Sequence, residues 1–167
     1  MVLNKNLTTA LVVIITIAID QISKIWVRGN FIYGEEKEVF GQKFIMKYVE
    51  NEGAFLGMGS DMSPLLHFIF LKLFPLLVLG YVVYYIFTNS KLDRVSLVAY
   101  SLIVGGGVSN VFDRFIHNKV TDFFFIDLGG VFKTGIFNVA DVAVTTGLFM
   151  LIFSNFLFKK KKVVVTE

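Results

Sequence analysis

Four long apolar runs leave this chain of 167 residues few ways to fold. Each has to be buried, and a chain this short builds only one modest core. A bilayer is the solvent that accepts all four. The first run starts near Leu7 and is clean only to Ile19, roughly 20 Å of helix at about 1.5 Å per residue. That is short of the ~30 Å hydrocarbon core. To span, the helix has to continue through Asp20, Gln21 and Lys24 to about Val27, which carries a carboxylate and an ammonium into the far third of the bilayer. No small-x-small site follows the run, so it reads as a retained helix rather than a cleaved signal. The second run, about 65–87, contains Pro75 and Gly80, and Pro75 predicts a kink. Lys72 within it is expected to snorkel or to meet a carboxylate. The third and fourth spans are placed at about 95–114 and 138–158.

Composition agrees. The chain is 55% hydrophobic with 19 Phe and a mean hydropathy of +0.70, far from an average soluble domain. There is no Cys and only two His, His67 and His117. Thiolate chemistry is thereby excluded, a multi-histidine metal site is disfavoured, and no metal or cofactor is implied. The formal charge of +3 does not point to nucleic acid, because Lys159–Lys162 form one terminal block of the kind that flanks a membrane span.

Four crossings place both termini on one side. Lysine and arginine divide about evenly between the sides, and density decides. Lys5, Lys91, Arg94 and Lys159–Lys162 sit in short segments, whereas Arg28, Lys37, Lys43, Lys47, Lys119 and Lys133 are spread over long ones. Both termini are therefore expected in the cytoplasm. The outer segments are about 28–63 and 115–137. In the first, Phe44, Met46 and Tyr48 alternate with Lys43, Ile45 and Lys47, a short amphipathic strand pattern. In the second, an apolar stretch is broken by Gly129-Gly130.

Polar residues collect at one depth of this layout. Asp20 and Lys24 end the first helix; Asn110, Asp113 and Arg114 end the third. Asp122 follows, and Asn138 and Asp141 open the fourth. Ionisable groups within a membrane mark a functional site by default. Each member also has a plainer reading. Asp20 and Lys24 have the i,i+4 spacing of a helical ion pair. Asn110, Asp113 and Arg114 could brace helices, with Gly105, Gly106 and Gly107 as a close-packing surface. Asn138 and Asp141 resemble a capping box. Asp122, between Val120 and Phe123–Phe125, is hardest to explain without a partner. Two aspartates facing one another in a low-dielectric cleft share a proton and hydrolyse an amide with no metal, thiol or serine. From the residues alone, pairing Asp122 with Asp141 is an inference from topology. A transporter, or a scaffold whose aspartates only cap and brace, stays open at that point.

Five ordered blocks then carry a family resemblance. They are Asp20-Gln21 with Lys24, Asn51-Glu52-Gly53-Ala54-Phe55, Gly105–Arg114, Val120-Thr121-Asp122-Phe123 and Phe137-Asn138-Val139-Ala140-Asp141. Together they resemble the lipoprotein signal peptidases (signal peptidase type II). The resemblance implies an all-α polytopic membrane protein, a single peptidase domain over 1–167. It would have four transmembrane helices, with a small β-rich cradle and a loop arm on the outer face. It implies an inner-membrane aspartic endopeptidase that cuts diacylglyceryl-prolipoproteins just before the lipid-modified cysteine. It names Asp122 and Asp141 as catalytic, with Asn51, Gly53, Asn110, Arg114 and Asn138 shaping the site. Asp20, Lys24, Gly106, Asp113 and Ala140 would support it. Globomycin-type cyclic peptides are the implied inhibitors, membrane lipid the surroundings, and a monomer suffices. Ser109 and Gly107 depart from the family's usual small residues but keep the surface small. Asp127 adds a carboxylate expected near the dyad.

Overall fold

A computed structural model of the chain describes residues 4–54, 57–129 and 132–158. Phe55, Gly130, the Lys159–Lys162 block and the Val163–Glu167 tail lie outside the described residues. The first helix, α1 (Lys5–Asn30), starts where Asn4 Oδ1 accepts from Leu7 N–H, relieving one of the donors a helix start leaves unpaired. It runs straight through Asp20, Gln21 and Lys24, as the length argument requires. α2 (Pro64–Thr88) has Pro64 in its first turn.

The break expected at Pro75 takes the form of a π turn over Ile69–Leu73, closed by Phe74 N–H bonding to Ile69 O. Pro75 has no N–H for the Leu71 carbonyl, and its ring crowds that turn; one wider turn absorbs both defects. α3 (Arg94–His117) is capped by Asp93, whose Oδ1 accepts from Ser96 N–H at 3.0 Å. It stops at Asn118, which is left-handed at φ 59°. α4 (Val139–Phe158) closes the described chain. Lys5–Asn30, Pro64–Thr88 and Arg94–His117 are each long and apolar enough to cross a membrane, and Val139–Ser154 is a shorter apolar stretch.

α3 is the central helix, and its three consecutive glycines explain how. Successive residues point about 100° apart, so the three face three directions. A Cβ on Gly105 would lie 2.8 Å from Thr16 Cβ of α1, one on Gly106 would strike the Ala140 carbonyl of α4, and one on Gly107 would meet Leu79 of α2. The α1 and α4 neighbours approach the α3 backbone too closely for a side chain at Gly105 or Gly106, while at Gly107 the Leu79 side chain fills the space.

Three strands, β1 (Glu36–Glu38), β2 (Phe44–Asn51) and β3 (Val120–Ile126), form an antiparallel sheet in the order β1-β2-β3. This sheet is the cradle the resemblance implies. Met46, Tyr48 and Phe124 pack on a core of Val27, Phe31 and Phe123, fixing the sheet to the end of α1. The β2–β3 register shifts between Met46 and Val49, after which Val49 stands opposite Asp122; such an irregularity re-aims the side chains beyond it. Lys5 Nζ donates to Asn89 O at 2.8 Å, so the start of α1 and the end of α2 share one end of the bundle. The sheet lies at the other.

Candidate active site

Asp122 lies on β3 and Asp141 in the first turn of α4. Both open into one small recess of about 60 Å³, lined also by Asn51, Asn110, Arg114 and Ile136. That volume admits a water molecule or two. Four amide contacts set the carboxylates. Asn138 Nδ2 donates to Asp122 Oδ1 at 2.6 Å and Asn51 Nδ2 to Asp122 Oδ2 at 3.0 Å. Asn110 Nδ2 donates to Asp141 Oδ1 at 2.9 Å, and Asn138 N–H to Asp141 Oδ2 at 3.1 Å. Asn138 Oδ1 in turn accepts from Asp141 N–H at 2.9 Å. The capping box read from the sequence therefore forms, and it leaves Asp141 bordering the recess. Cap and site residue are the same side chain.

Electrostatically the recess disfavours two negative charges. Burial, and then the Asp141 charge, push the Asp122 carboxyl up to about 7, while the bonds from Asn51 and Asn138 hold it back. Arg114 Nη2 donates to Gly53 O at 2.8 Å. Its Nε–H is buried with no partner among the described residues, an unspent donor beside both carboxylates. Gly53 is held by Asn51 Oδ1, which accepts from its N–H at 3.0 Å. A Cβ at Gly53 would run into the backbone of Gly57 and Met58, so only glycine lets that loop fold over the recess.

Behind the recess lies a fully buried ion cluster. Lys24 Nζ reaches Asp20 Oδ2 at 2.7 Å, Asp113 Oδ2 at 2.6 Å and Asn110 Oδ1 at 2.9 Å, all three of its N–H groups engaged. The i,i+4 pair expected on α1 is thus one arm of a contact between helices. Asp20 Oδ1 also accepts from Ala140 N–H at 2.8 Å, capping α4 one residue before Asp141. Two larger spaces meet at the aspartates. A cleft of about 470 Å³ over the sheet, bordered by Tyr33, Glu50, Asn51, Glu52 and Ser60, ends on Asp122. A groove of about 400 Å³ along α4, bordered by Phe137, Val142, Thr145 and Phe149, ends on Asp141.

The family description signal peptidase (SPase) II matches residues 12–157. The chain belongs to the signal peptidase II family. The lipoprotein signal peptidase of Psychromonas ingrahamii is 34% identical over 148 residues, 89% of this chain and 84% of that one. That of Clostridium novyi is 32% identical over 152 residues, 91% and 98% of the two chains. A solved structure described as a bacterial membrane enzyme matches with a TM-score of 0.82 at 25% identity, covering 95% of this chain and 94% of that one. The signal peptidase II family is one of proteases, and the helices of this member are those of a bacterial membrane enzyme.

Within this signal peptidase II chain, all twelve residues expected at the site stand at the recess or in the layer directly behind it. Three expectations need correction. Asp127 faces Lys133 at 2.7 Å and accepts from Gly129 N–H, away from the dyad. Lys72 meets no carboxylate among the described residues; its Nζ is buried and donates to Asn118 Oδ1 at 2.7 Å instead of snorkelling free. Ser109, read only as a small packing residue, donates to Asp20 Oδ2 at 2.7 Å. The sequence assigns Gln21 no role of its own, yet its Nε2 donates to Ser109 Oγ and Asp113 Oδ1. Its place beside Asp20, on the polar stripe of α1, was the available signal. Arg28, Thr121, Glu50 and Tyr48 form a further chain joining α1 to the sheet. Burial and the Glu50 contact push the Tyr48 phenol up to about 12, so it stays a donor.

Proposed function

We propose that this chain is an aspartic endopeptidase that removes the signal peptide from diacylglyceryl-prolipoproteins, cutting just before the lipid-modified cysteine. The observation that carries this reading is the single recess holding Asp122 and Asp141 where a polar cleft meets an apolar groove. The groove suits the apolar part of a precursor, and the cleft suits its extended backbone. One proton is shared by the pair. The ionised carboxylate takes a proton from water, which attacks the scissile carbonyl, while the protonated partner hydrogen-bonds the carbonyl oxygen. Collapse of the tetrahedral intermediate gives the new carboxyl end of the signal peptide. The proton passes to the cysteine amine as the C–N bond breaks.

Asn51, Asn110 and Asn138 orient the two carboxylates, and the Arg114 Nε–H is a donor for the substrate backbone. Gly53 keeps the covering loop close. Asp20, Lys24 and Asp113 hold the helices that carry the pair, and Gly106 and Ala140 let α3 and α4 approach. As one membrane-embedded domain the chain crosses the inner membrane four times, both termini in the cytoplasm and the recess near the outer face. The shared end of Lys5 and Asn89, together with the dense lysines of the short segments, supports that orientation. A monomer suffices, and globomycin-type cyclic peptides compete for the same recess.

The test is cleavage of purified diacylglyceryl-prolipoprotein in detergent by wild type, Asp122→Asn and Asp141→Asn, with folding checked in each. Asn at position 141 still offers an oxygen to Asn138 N–H, so the helix cap survives, while its NH2 takes the place of the oxygen that accepts from Asn110 Nδ2. A drop of at least about a hundredfold is expected in both. Persistent cleavage by either folded variant removes that residue from catalysis.

A further inference from the structure

A cavity of about 470 Å³ lies beside the cleft, at the sheet end of α2 and α3, and nothing in the proteolytic reading uses it. Its lining is basic. Lys72, Lys119, His67 and His117 border it, against a single acidic residue, Glu52. Lys72 is the unusual member. It sits in the π turn of α2, eight residues past Pro64, about 12 Å along the helix at ~1.5 Å per residue. It is 8% exposed. Its ammonium has three N–H donors, of which the Asn118 side chain takes one at 2.7 Å. The Phe115 ring lies 5.5 Å from Nζ. Among the described residues no carboxylate comes within ion-pair distance of Lys72 or Lys119. A cation buried against neutral partners at membrane depth is costly, and an arriving anion offsets that cost.

We propose that this cavity binds the phosphate of an anionic phospholipid. Leu65, Phe68, Phe115 and Ile116 stand exposed on the same ends of α2 and α3, so acyl chains hanging from that phosphate cover apolar surface that a soluble anion leaves bare. The two lysines favour a headgroup with net negative charge over a zwitterionic one, whose ammonium meets them with like charge. His67 Nε2 donates to the Glu52 carbonyl at 2.6 Å, tying the lining to the loop that also borders the cleft.

The experiment is native mass spectrometry of the full chain released from detergent, titrated separately with phosphatidylglycerol, phosphatidylcholine and soluble glycerol 1-phosphate. Wild type is expected to retain one phosphatidylglycerol, about tenfold more tightly than phosphatidylcholine. Lys72→Met is expected to lose about tenfold in that affinity, and Lys119→Gln several-fold. A measurable loss in either folded variant supports the site; should Lys72→Met not fold, Lys119→Gln decides alone. Equal retention of the two lipids by wild type, or wild-type binding in every folded variant, overturns the proposal. Displacement by glycerol 1-phosphate at comparable concentration also overturns it, because the ligand is then a soluble phosphate. None of these readouts depends on proteolysis.

Discussion

Replacing Lys24 by Met tests whether the buried ion cluster holds the site together. Lys24, Asp20 and Asp113 are each fully buried, and one ammonium serves both carboxylates. Met keeps most of the stem volume, so the loss is electrostatic. Breaking a buried pair by removing one partner costs about 3–5 kcal/mol, because a charge is left uncompensated. Here two carboxylates are stranded, which places Lys24→Met in the upper half of that range. Unfolding of the purified protein in mixed micelles measures it; on the scale of a chain this size the midpoint falls roughly 8–20 °C. Asp20 keeps donors from Ser109 and the Ala140 amide, whereas among the described residues Asp113 keeps only Gln21. Adding Asp113→Asn to Lys24→Met therefore removes the worse-placed stranded charge and is expected to restore about 1–2 kcal/mol. A loss below about 1 kcal/mol in the single variant refutes the reasoning. So does a double variant less stable than Lys24→Met.

The Asp122 carboxyl, raised to about 7 chiefly by burial, keeps its proton through the acid range and loses it as pH rises through that value. Cleavage is expected to decline above about pH 7, and Asn51→Leu, which removes a donor to the carboxylate, to move that limb upward; a downward shift contradicts the assignment. The same group sets a stability slope: from about pH 4 to 7 the native state binds more protons than the unfolded chain, so stability falls as pH rises. Gly106→Ala, whose Cβ meets the Ala140 carbonyl, is expected to cost about 1–3 kcal/mol and to impair cleavage. Gly80→Ala, with nothing within 4 Å of the new methyl, should stabilise by up to about 1 kcal/mol. Equal shifts in the two unfolding curves argue against close helix approach. Asp127→Asn, on a loop and paired with Lys133, is expected to cleave within about twofold of wild type, and a tenfold drop returns Asp127 to the site.

The helices were legible because hydrocarbon demands length: the shortfall after Ile19 was enough to carry α1 through Asp20 and Lys24. The polar cluster was legible because charge at membrane depth is rare. What the sequence hides is non-local. No local pattern tells that Asp20 caps a helix beginning more than a hundred residues later, or that Lys24 turns from its helical neighbour toward Asp113 as well. Pro75 announced a defect, but whether it became a kink or a π turn depended on the packing around α2. Asp127 looked close to the dyad because chain distance from Asp122 is short. The strand carries it past the recess to the far end of the sheet, where Lys133 was waiting across a bridge.

The charged ends of α1 and α3 also bear on how the chain enters the bilayer. Asp20 and Lys24 form an i,i+4 ion pair on one face of α1, so that helix carries its own counter-ion. Asp113 and Arg114 of α3, by contrast, are successive residues that point about 100° apart and do not face one another. A lone charge at the centre of an inserting helix costs about 2.5–3.5 kcal/mol; a matched pair travels with its own counter-ion. In the assembled bundle Lys24 serves Asp113 as well, and Arg114 donates to Gly53 O. α1 thus brings Lys24 into the bundle already paired, while the Asp113 carboxylate of α3 meets its cation only when the two helices pack.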